Sequence, residues 1–410
     1  MSFLADPIAF IANWLRGLLM GLGLPIGTVE TILAVIGVVV ICSFGLGLTI
    51  FLIWVERKIS ARFQGRLGPN RVGPFGLLQT FADIIKIFTK EHITPMGVDV
   101  IVYNIAPILS VSAVLLLWAV IPFAATVEGA NINVGVLYLV AVGSLGTLAI
   151  LIAGWSSNNK FALLGAFRTV AQMVSYEVPM VLALLVVTLL SRSMSVTDVV
   201  DSQQIWYVFV APLAFLIFLL SSQAETGRAP FDLMEAESEI VAGYQTEYSG
   251  LKFGMFFVGE FLHAFTVGAL VATLFLGGWR GPFADQYPIL GIFYFFAKAF
   301  LIYFVTLWMR FSLPRIRIDH MLDFNWKYLV PLGLLLVIMT AVIDKTLYTI
   351  NPDINIWVRS GVQLLGNIVL LLLANLVLRT RLRLRPRRIA EFPERPVARP
   401  SETSPVSENA

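Results

Sequence analysis

Cysteine and histidine are almost missing from this chain. Cys42 is the only cysteine in 410 residues, and His92, His263 and His320 are the only histidines. An internal disulfide, a thiolate zinc site and an iron–sulfur cluster each need more thiols than one, so the chain can build none of them. The three histidines stand far apart, which argues against a haem or metal centre held by this chain alone. A redox cofactor is therefore expected on a partner, or the ligand is a diffusible molecule.

Charge is scarce as well. Only 13% of residues are Asp, Glu, Lys or Arg, against about 25% in an ordinary soluble domain. Apolar residues make up 58%, and the mean hydropathy is +0.82. Such a chain cannot clothe a soluble fold in polar groups. A soluble enzyme, a nucleic-acid-binding domain and a disordered chain are excluded. A polytopic membrane protein remains.

The apolar residues fall into runs near 31–55, 100–121, 134–154, 170–190, 205–222, 254–277, 291–311, 328–349 and 358–379. Each approaches the roughly 20 residues a membrane helix needs. Their continuity fits helices rather than the alternating strands of a membrane barrel. The stretch 170–190 fits least well, because its first turns carry Gln172, Tyr176 and Glu177. Residues 1–15 lack Lys and Arg and carry Asp6, so no cleaved export signal is expected. Ile8, Ile11, Leu15 and Leu18 share a face, which predicts an interfacial helix in 1–30. The expected organisation is thus 1–30 as an interfacial segment, 31–349 as the main helical domain, 350–384 as a last spanning helix, and 385–410 as a disordered tail.

Basic residues give the orientation. The segments 56–92, 156–177, 223–252, 310–327 and 379–399 hold most of the Lys and Arg. With nine spans these segments lie on one side. That side is expected to be the cytoplasm, with the N-terminus outside. The arginines between 379 and 388 are read as an anchor on anionic lipid. The alternative for them is a binding role.

The inner connections carry the unusual chemistry. GRLGPNRVGP at 65–74 is rich in Gly, Pro and Arg, which fixes a turn-rich backbone able to attract anions, acidic lipid or an acidic partner. A plain positive loop is the alternative. Residues 75–91 predict an amphipathic helix lying on the membrane, which either anchors the chain or roofs a cavity opening into lipid. In 225–247 six acids, Glu225, Asp232, Glu235, Glu237, Glu239 and Glu247, face the single Arg228. If 231–242 is helical, Asp232, Glu235 and Glu239 share a face. Crowded, poorly hydrated acids repel one another and hold protons. A solvated acidic loop is the alternative. Glu177, Glu260, His263 and Lys298 add charge within apolar runs, where each is costly. They are read as lying in or near the inner half of the spans, with His263 the one most readily explained as structural.

These stretches carry a resemblance. Glu56-Arg57-Lys58 with GRLGPNRVGP, FADIIKIFTKE (81–91), SSNNKFALLGAFRTVAQMVSYE (156–177), AETGRAPFDLMEAESEIVAGYQTEYSG (224–250) and LPRIRIDHML with Trp326-Lys327 occur in one order. Together they resemble the quinone-site membrane component of respiratory complex I, the H subunit of proton-translocating NADH–quinone oxidoreductase. The resemblance implies eight spanning helices plus the amphipathic helix. It also implies a tunnel for lipid-borne quinone and the start of an acidic proton route. Quinone, ubiquinone or menaquinone, is then a substrate, and no metal or flavin is bound here. The partners implied are hydrophilic-arm subunits, one bearing the iron–sulfur cluster, together with small and antiporter-like membrane subunits and lipid. Nucleic acid is not among them. By match, Glu225, Arg228, Asp232, Glu235, Glu237, Glu239 and Glu247 belong to the loop by the quinone cavity, and Glu177 and Glu260 continue the route. Arg62, Arg66, Arg71, Asp83 and Lys86 belong to the tunnel mouth and the contact with the hydrophilic arm. Ile318 and His320 depart from the usual Tyr-Asp-Gln pattern, and the ninth span and the tail lie outside it. The expected location is the bacterial plasma membrane. Alternatives are the equivalent component of a membrane-bound hydrogenase or a related complex, a self-contained proton-coupled transporter, and a passive scaffold.

Overall fold

The computed structural model describes residues 6–234, 237–284, 286–350 and 355–384, with side chains except at 237, 238 and beyond 377. Glu235 and the tail at 385–410 lie outside the described residues, as does the Glu237 side chain. Among the described residues there is no β-strand. The chain is an all-α polytopic membrane protein, with eight helices among the described residues long and apolar enough to cross a membrane.

The helices are α1 (Pro7–Gly21), α2 (Ile26–Phe63), α3 (Gln79–Thr89), α4 (Val100–Leu117), α5 (Gly135–Ser156), α6 (Lys160–Ser191), α7 (Val196–Ser202) and α8 (Tyr207–Val210). They continue as α9 (Pro212–Glu225), α10 (Glu237–Ile240), α11 (Gly250–Phe275), α12 (Pro288–Ser312), α13 (Ile318–Phe324), α14 (Val330–Ile350) and α15 (Ile356–Leu384). The bundle is the unit Met1–Leu370, and from Leu371 the helix α15 runs on to Leu384. Helices α6 and α11 are the most buried of the long ones, because both carry apolar residues around most of their circumference.

The run 205–222, expected as one span, is instead two pieces. Pro212 cannot donate a backbone hydrogen bond, so the helix breaks at Ala211 between α8 and α9. Helix α9 has 14 residues and covers only about 21 Å. Two other helices overshoot the bilayer. At 38 residues, α2 extends about 57 Å, and α6, with 32, about 48 Å. Their surplus turns project at one rim and carry Glu56, Arg57 and Arg62 on α2, and Arg168 and Gln172 on α6. This explains the polar start of the expected span 170–190: the helix already begins at Lys160, capped by the Asn159 side chain on the Phe161 amide.

Cross-connections define two rims. At one, Asp99 N–H donates to Ser156 O (3.2 Å), Ile316 N–H to Pro230 O (2.9 Å) and Ile93 N–H to Ser249 Oγ (3.0 Å). At the other, Val136 N–H reaches Met194 O (2.9 Å), Arg280 donates to Asp201 O (2.8 Å) and Arg192 pairs with Asp344 (3.2 Å). The first rim holds the long Gly- and Pro-rich connections. There the amphipathic helix α3 is shorter than the expected 75–91. Leu77 and Leu78 precede it, after a single turn at Pro74–Gly76.

Lys298 is not with the inner charges. Its ammonium donates to Gly278 O (2.9 Å) and Arg280 O (2.8 Å) at the second rim and lies 5.0 Å from the Trp206 ring centre. The residue sits about three turns from the start of α12, and its long stem carries the charge to the nearer surface.

Where helices cross closely, no side chain fits. A Cβ built on Gly268 of α11 would lie 2.7 Å from Ala299 O of α12. Gly268→Ala should lower the melting temperature of the detergent-solubilised protein by several degrees, an overpacking cost of about 1–3 kcal/mol. Gly17→Ala, which meets nothing within 4 Å, should leave it unchanged or slightly raised. Equal melting of both variants would contradict this packing.

Candidate functional site

The site is built around Arg228, in the connection after α9. Its side chain is 3% exposed, and a guanidinium buried so deeply needs carboxylates around it. Two are present. Arg228 Nη1 lies 2.9 Å from Glu56 Oε2 of α2, and Arg228 Nε lies 3.3 Å from Glu260 Oε1 of α11. Arg310 of α12 pairs with the other oxygen of Glu56, and the Tyr303 hydroxyl donates to Glu56 Oε2 at 3.2 Å. Two carboxylates thus meet two guanidiniums, and the cluster is formally neutral. Burial opposes the Arg228 charge, but Glu56 and then Glu260 outweigh it, so the guanidinium stays protonated more firmly than usual. The Phe261 ring lies 5.0 Å from it. Arg228 Nη2 is buried without a hydrogen-bond partner among the described residues.

Two hollows adjoin the cluster. The larger, about 900 Å³, is lined by Glu56, Arg57, Arg66, Arg71, Gln79 and Arg310, among others. It lies where α2, the 65–71 turns and α12 meet. The smaller is a cavity of about 60 Å³ between α4, α5, α9 and α11, onto which Glu225, Glu260 and His263 face. It has room for water.

Of the acids read from the sequence, Glu225 and Glu260 come together at this smaller cavity, and Glu225 is 9% exposed. Glu177 Oε1 accepts from Ser144 Oγ at 2.6 Å, and its charge acts on Glu225. Others lie apart. Glu247 accepts from Asn159 Nδ2 at 2.5 Å, in a second cluster where Tyr103 and Tyr248 stack at 4.2 Å. Burial raises the Tyr248 hydroxyl to about 12.

The expected helix 231–242 does not form as a whole, and among its described residues only Glu237–Ile240 is helical. Gln172 of α6 donates to Ala224 O (2.6 Å) and Phe231 O (2.8 Å), holding the start of this stretch in turns. Gly243, at φ +61°, ends it where a Cβ would strike Met234 O. Asp232 is half-buried and shares no helical face with Glu239. Nor does Glu239 behave as a crowded acid. It is exposed, and the Arg168 hydrogen bond (2.5 Å), helped by Arg315 (3.0 Å), holds its carboxyl below the ordinary range.

The basic residues divide in the same way. Arg66 and Arg71 line the 900 Å³ hollow. Arg62 does not, and lines a separate depression with Lys58, Phe63 and Phe304. Asp83 bridges Arg57 and Lys86 and so fastens α3 to α2. Burial raises the Asp83 carboxyl, but the Arg57 bond and charge outweigh this and keep it below its usual value. Glu56, Arg310 and Tyr303 were missed as site residues. An acid at the inner end of an apolar span was the signal available for Glu56. Nothing in the sequence marked Tyr303.

Helices and site together define a multi-pass membrane protein with a neutral, buried ion cluster between two hollows at one rim. The family model described as NADH dehydrogenase matches residues 35–341. The chain belongs to that family. It is 45% identical over 326 residues to the NADH-quinone oxidoreductase H subunit of Dehalococcoides mccartyi (strain CBDB1), covering 80% of this chain and 90% of that one. To the protein of the same name from Carboxydothermus hydrogenoformans it is 46% identical over 312 residues, covering 76% and 88%. The relative from Bacteroides thetaiotaomicron is 42% identical over 347 residues, covering 81% and 96%.

Removing one member of a buried ion cluster strands the others, at about 3–5 kcal/mol. Glu56→Gln and Arg310→Gln should therefore each lower the denaturation midpoint of the purified protein. The double variant, again neutral, should lose clearly less than the sum. Strictly additive losses would show that the two charges do not interact.

Proposed function

We propose that this chain is the quinone-site membrane subunit of an NADH–quinone oxidoreductase. In this reading it shapes the quinone access path and begins the acidic route along which protons move. The observation that carries the reading is the ion cluster that forms one wall of the 900 Å³ hollow through Glu56 and Arg310. The hollow has the size of a small-molecule site and lies beside the amphipathic helix α3, through Gln79.

A quinone head group entering from the lipid beneath α3 meets Arg66, Arg71 and Arg310. Electrons come from the iron–sulfur cluster of a hydrophilic-arm partner. As the reduced head group gains negative charge, it competes with Glu56 for Arg310, and Glu56, losing that partner, draws Arg228 more strongly to itself. Arg228 then stabilises the Glu260 carboxylate less, which favours proton uptake by Glu260. In a poorly hydrated site such shifts are strong, and the acids Glu260, Glu225 and Glu177 respond by taking up or releasing protons. Asp232, Glu235, Glu237, Glu239 and Glu247 are assigned to the surrounding loop and Arg62, Asp83 and Lys86 to the mouth. The exposed Glu239 pair is better suited to holding the loop shut than to carrying protons.

The basic rim faces the bacterial cytoplasm in this reading, as the concentration of Lys and Arg there favours. The N-terminus is then outside and the C-terminal tail inside. Residues 31–349 form the quinone-site domain, 1–30 the interfacial segment, and 350–384 the additional helix. Small and antiporter-like membrane subunits are the neighbours within the bilayer.

The test is to purify the tagged chain in mild detergent with whatever accompanies it and measure NADH–quinone reduction. Arg228→Met should lower that rate more than about tenfold, as loss of a buried electrostatic element does. Normal rates and normal proton movement in this variant would remove the cluster from the mechanism. Recovery of the chain alone, active in transport, would overturn the assignment.

A further inference from the structure

His263 of α11 forms no hydrogen bond that would explain its place in the middle of a span. Its Nε2 is buried and meets no partner among the described residues. A buried donor or acceptor left unmatched costs about 1–3 kcal/mol, so a structural role for this ring is poorly supported. The residue does lie at a junction. It lines the 60 Å³ cavity together with Glu225 and Glu260. It also lines a second, narrower cavity of about 30 Å³, bounded by Met180, Phe218, Ser222 and Leu270, and there again with Glu225. Only the first cavity includes Glu260. His263 and Glu260 are three residues apart on α11, so they are neighbours on one helical face.

We infer that His263 relays protons between the Glu260 end of the ion cluster and Glu225, across the cavity that all three line. This inference rests on the function proposed above. The larger of the two cavities brings Glu260, His263 and Glu225 together, and each cavity has room for water beside the ring. The groups facing the imidazole are Glu225 from α9, Glu260 from its own helix, Ser110 from α4, and Thr226 at the end of α9. Arg228 lies just behind Glu260. An imidazole suits the step, because it can bind a proton at one nitrogen and release one from the other. A proton leaving the Glu260 carboxyl, directly or through water, adds to one ring nitrogen. The proton on the other nitrogen passes to the Glu225 carboxylate. The ring ends neutral, Glu260 ends ionised and Glu225 ends protonated, so charge and protons balance. Rotation of the ring restores its starting tautomer.

The test uses the assembled complex in sealed vesicles, with NADH–quinone reduction and proton uptake measured in parallel. His263→Leu should cut protons moved per NADH at least severalfold while quinone reduction stays within about twofold. His263→Gln keeps hydrogen bonding but cannot take on a proton, so it should fail in the same way. A structural histidine would be rescued by glutamine. Normal proton movement in His263→Gln overturns the inference, even if His263→Leu fails to assemble. Equal loss of reduction and proton movement in both variants overturns it too. A parent complex that reduces no quinone would instead overturn the functional reading on which the inference rests.

Discussion

The site depends on one constraint: a guanidinium that is nearly sealed from solvent must be neutralised. Arg228 meets that demand by drawing Glu56 from α2 and Glu260 from α11, and Glu56 in turn draws Arg310 from α12. Four segments far apart in sequence are thereby fixed to one point at the rim that holds the long Gly- and Pro-rich connections. Removing any single charge leaves the rest buried and unmatched. The connection after α9 is held from the opposite side by Gln172, whose amide bridges two carbonyls of that stretch. The loop is rigid where it carries Arg228. Where it carries the exposed Glu239 it is tied to Arg168 and Arg315.

The cluster also separates two environments. On one side is a wide, arginine-lined hollow beside an amphipathic helix. On the other are narrow cavities lined mostly by apolar side chains, with Glu225, Glu260 and His263 facing in. A neutral set of two acids and two bases is a suitable partition, because a charge on one side changes how its members share their hydrogen bonds. The long helices make this possible. Surplus turns of α2 and α6 carry polar residues beyond the apolar zone without breaking the helix.

Much of the fold was legible because lipid imposes a simple rule, a long apolar run for each span. The rule was incomplete at 205–222, where Pro212 splits the run into α8 and α9. It also misplaced Lys298, whose stem lets the charge exit at the far rim. The site was partly legible. Glu260 stood out as a charge within an apolar run and Glu225 and Arg228 as members of the acidic stretch, and the structure brings Glu225 and Glu260 to one cavity and Arg228 onto Glu260. Glu56 was hidden in a basic motif, and Tyr303 in an aromatic run. Their roles arise from contacts across more than a hundred residues of sequence. The acidic stretch misled for a related reason. Spacing on an imagined helix put Asp232 and Glu239 together, whereas hydrogen bonds from α6 hold residues 231–234 in turns and the left-handed Gly243 stops the short helix after Ile240.

The central claim is that charge placed in the wide hollow alters the protonation of buried carboxyls beyond the ion cluster. Infrared difference spectra of the assembled complex, recorded as bound quinone is reduced, test this directly. The account predicts a change in the stretching band of protonated carboxyls that Glu225→Gln removes and Glu239→Gln leaves intact. A spectrum with no carboxyl change on reduction, or one altered only by Glu239→Gln, would contradict it.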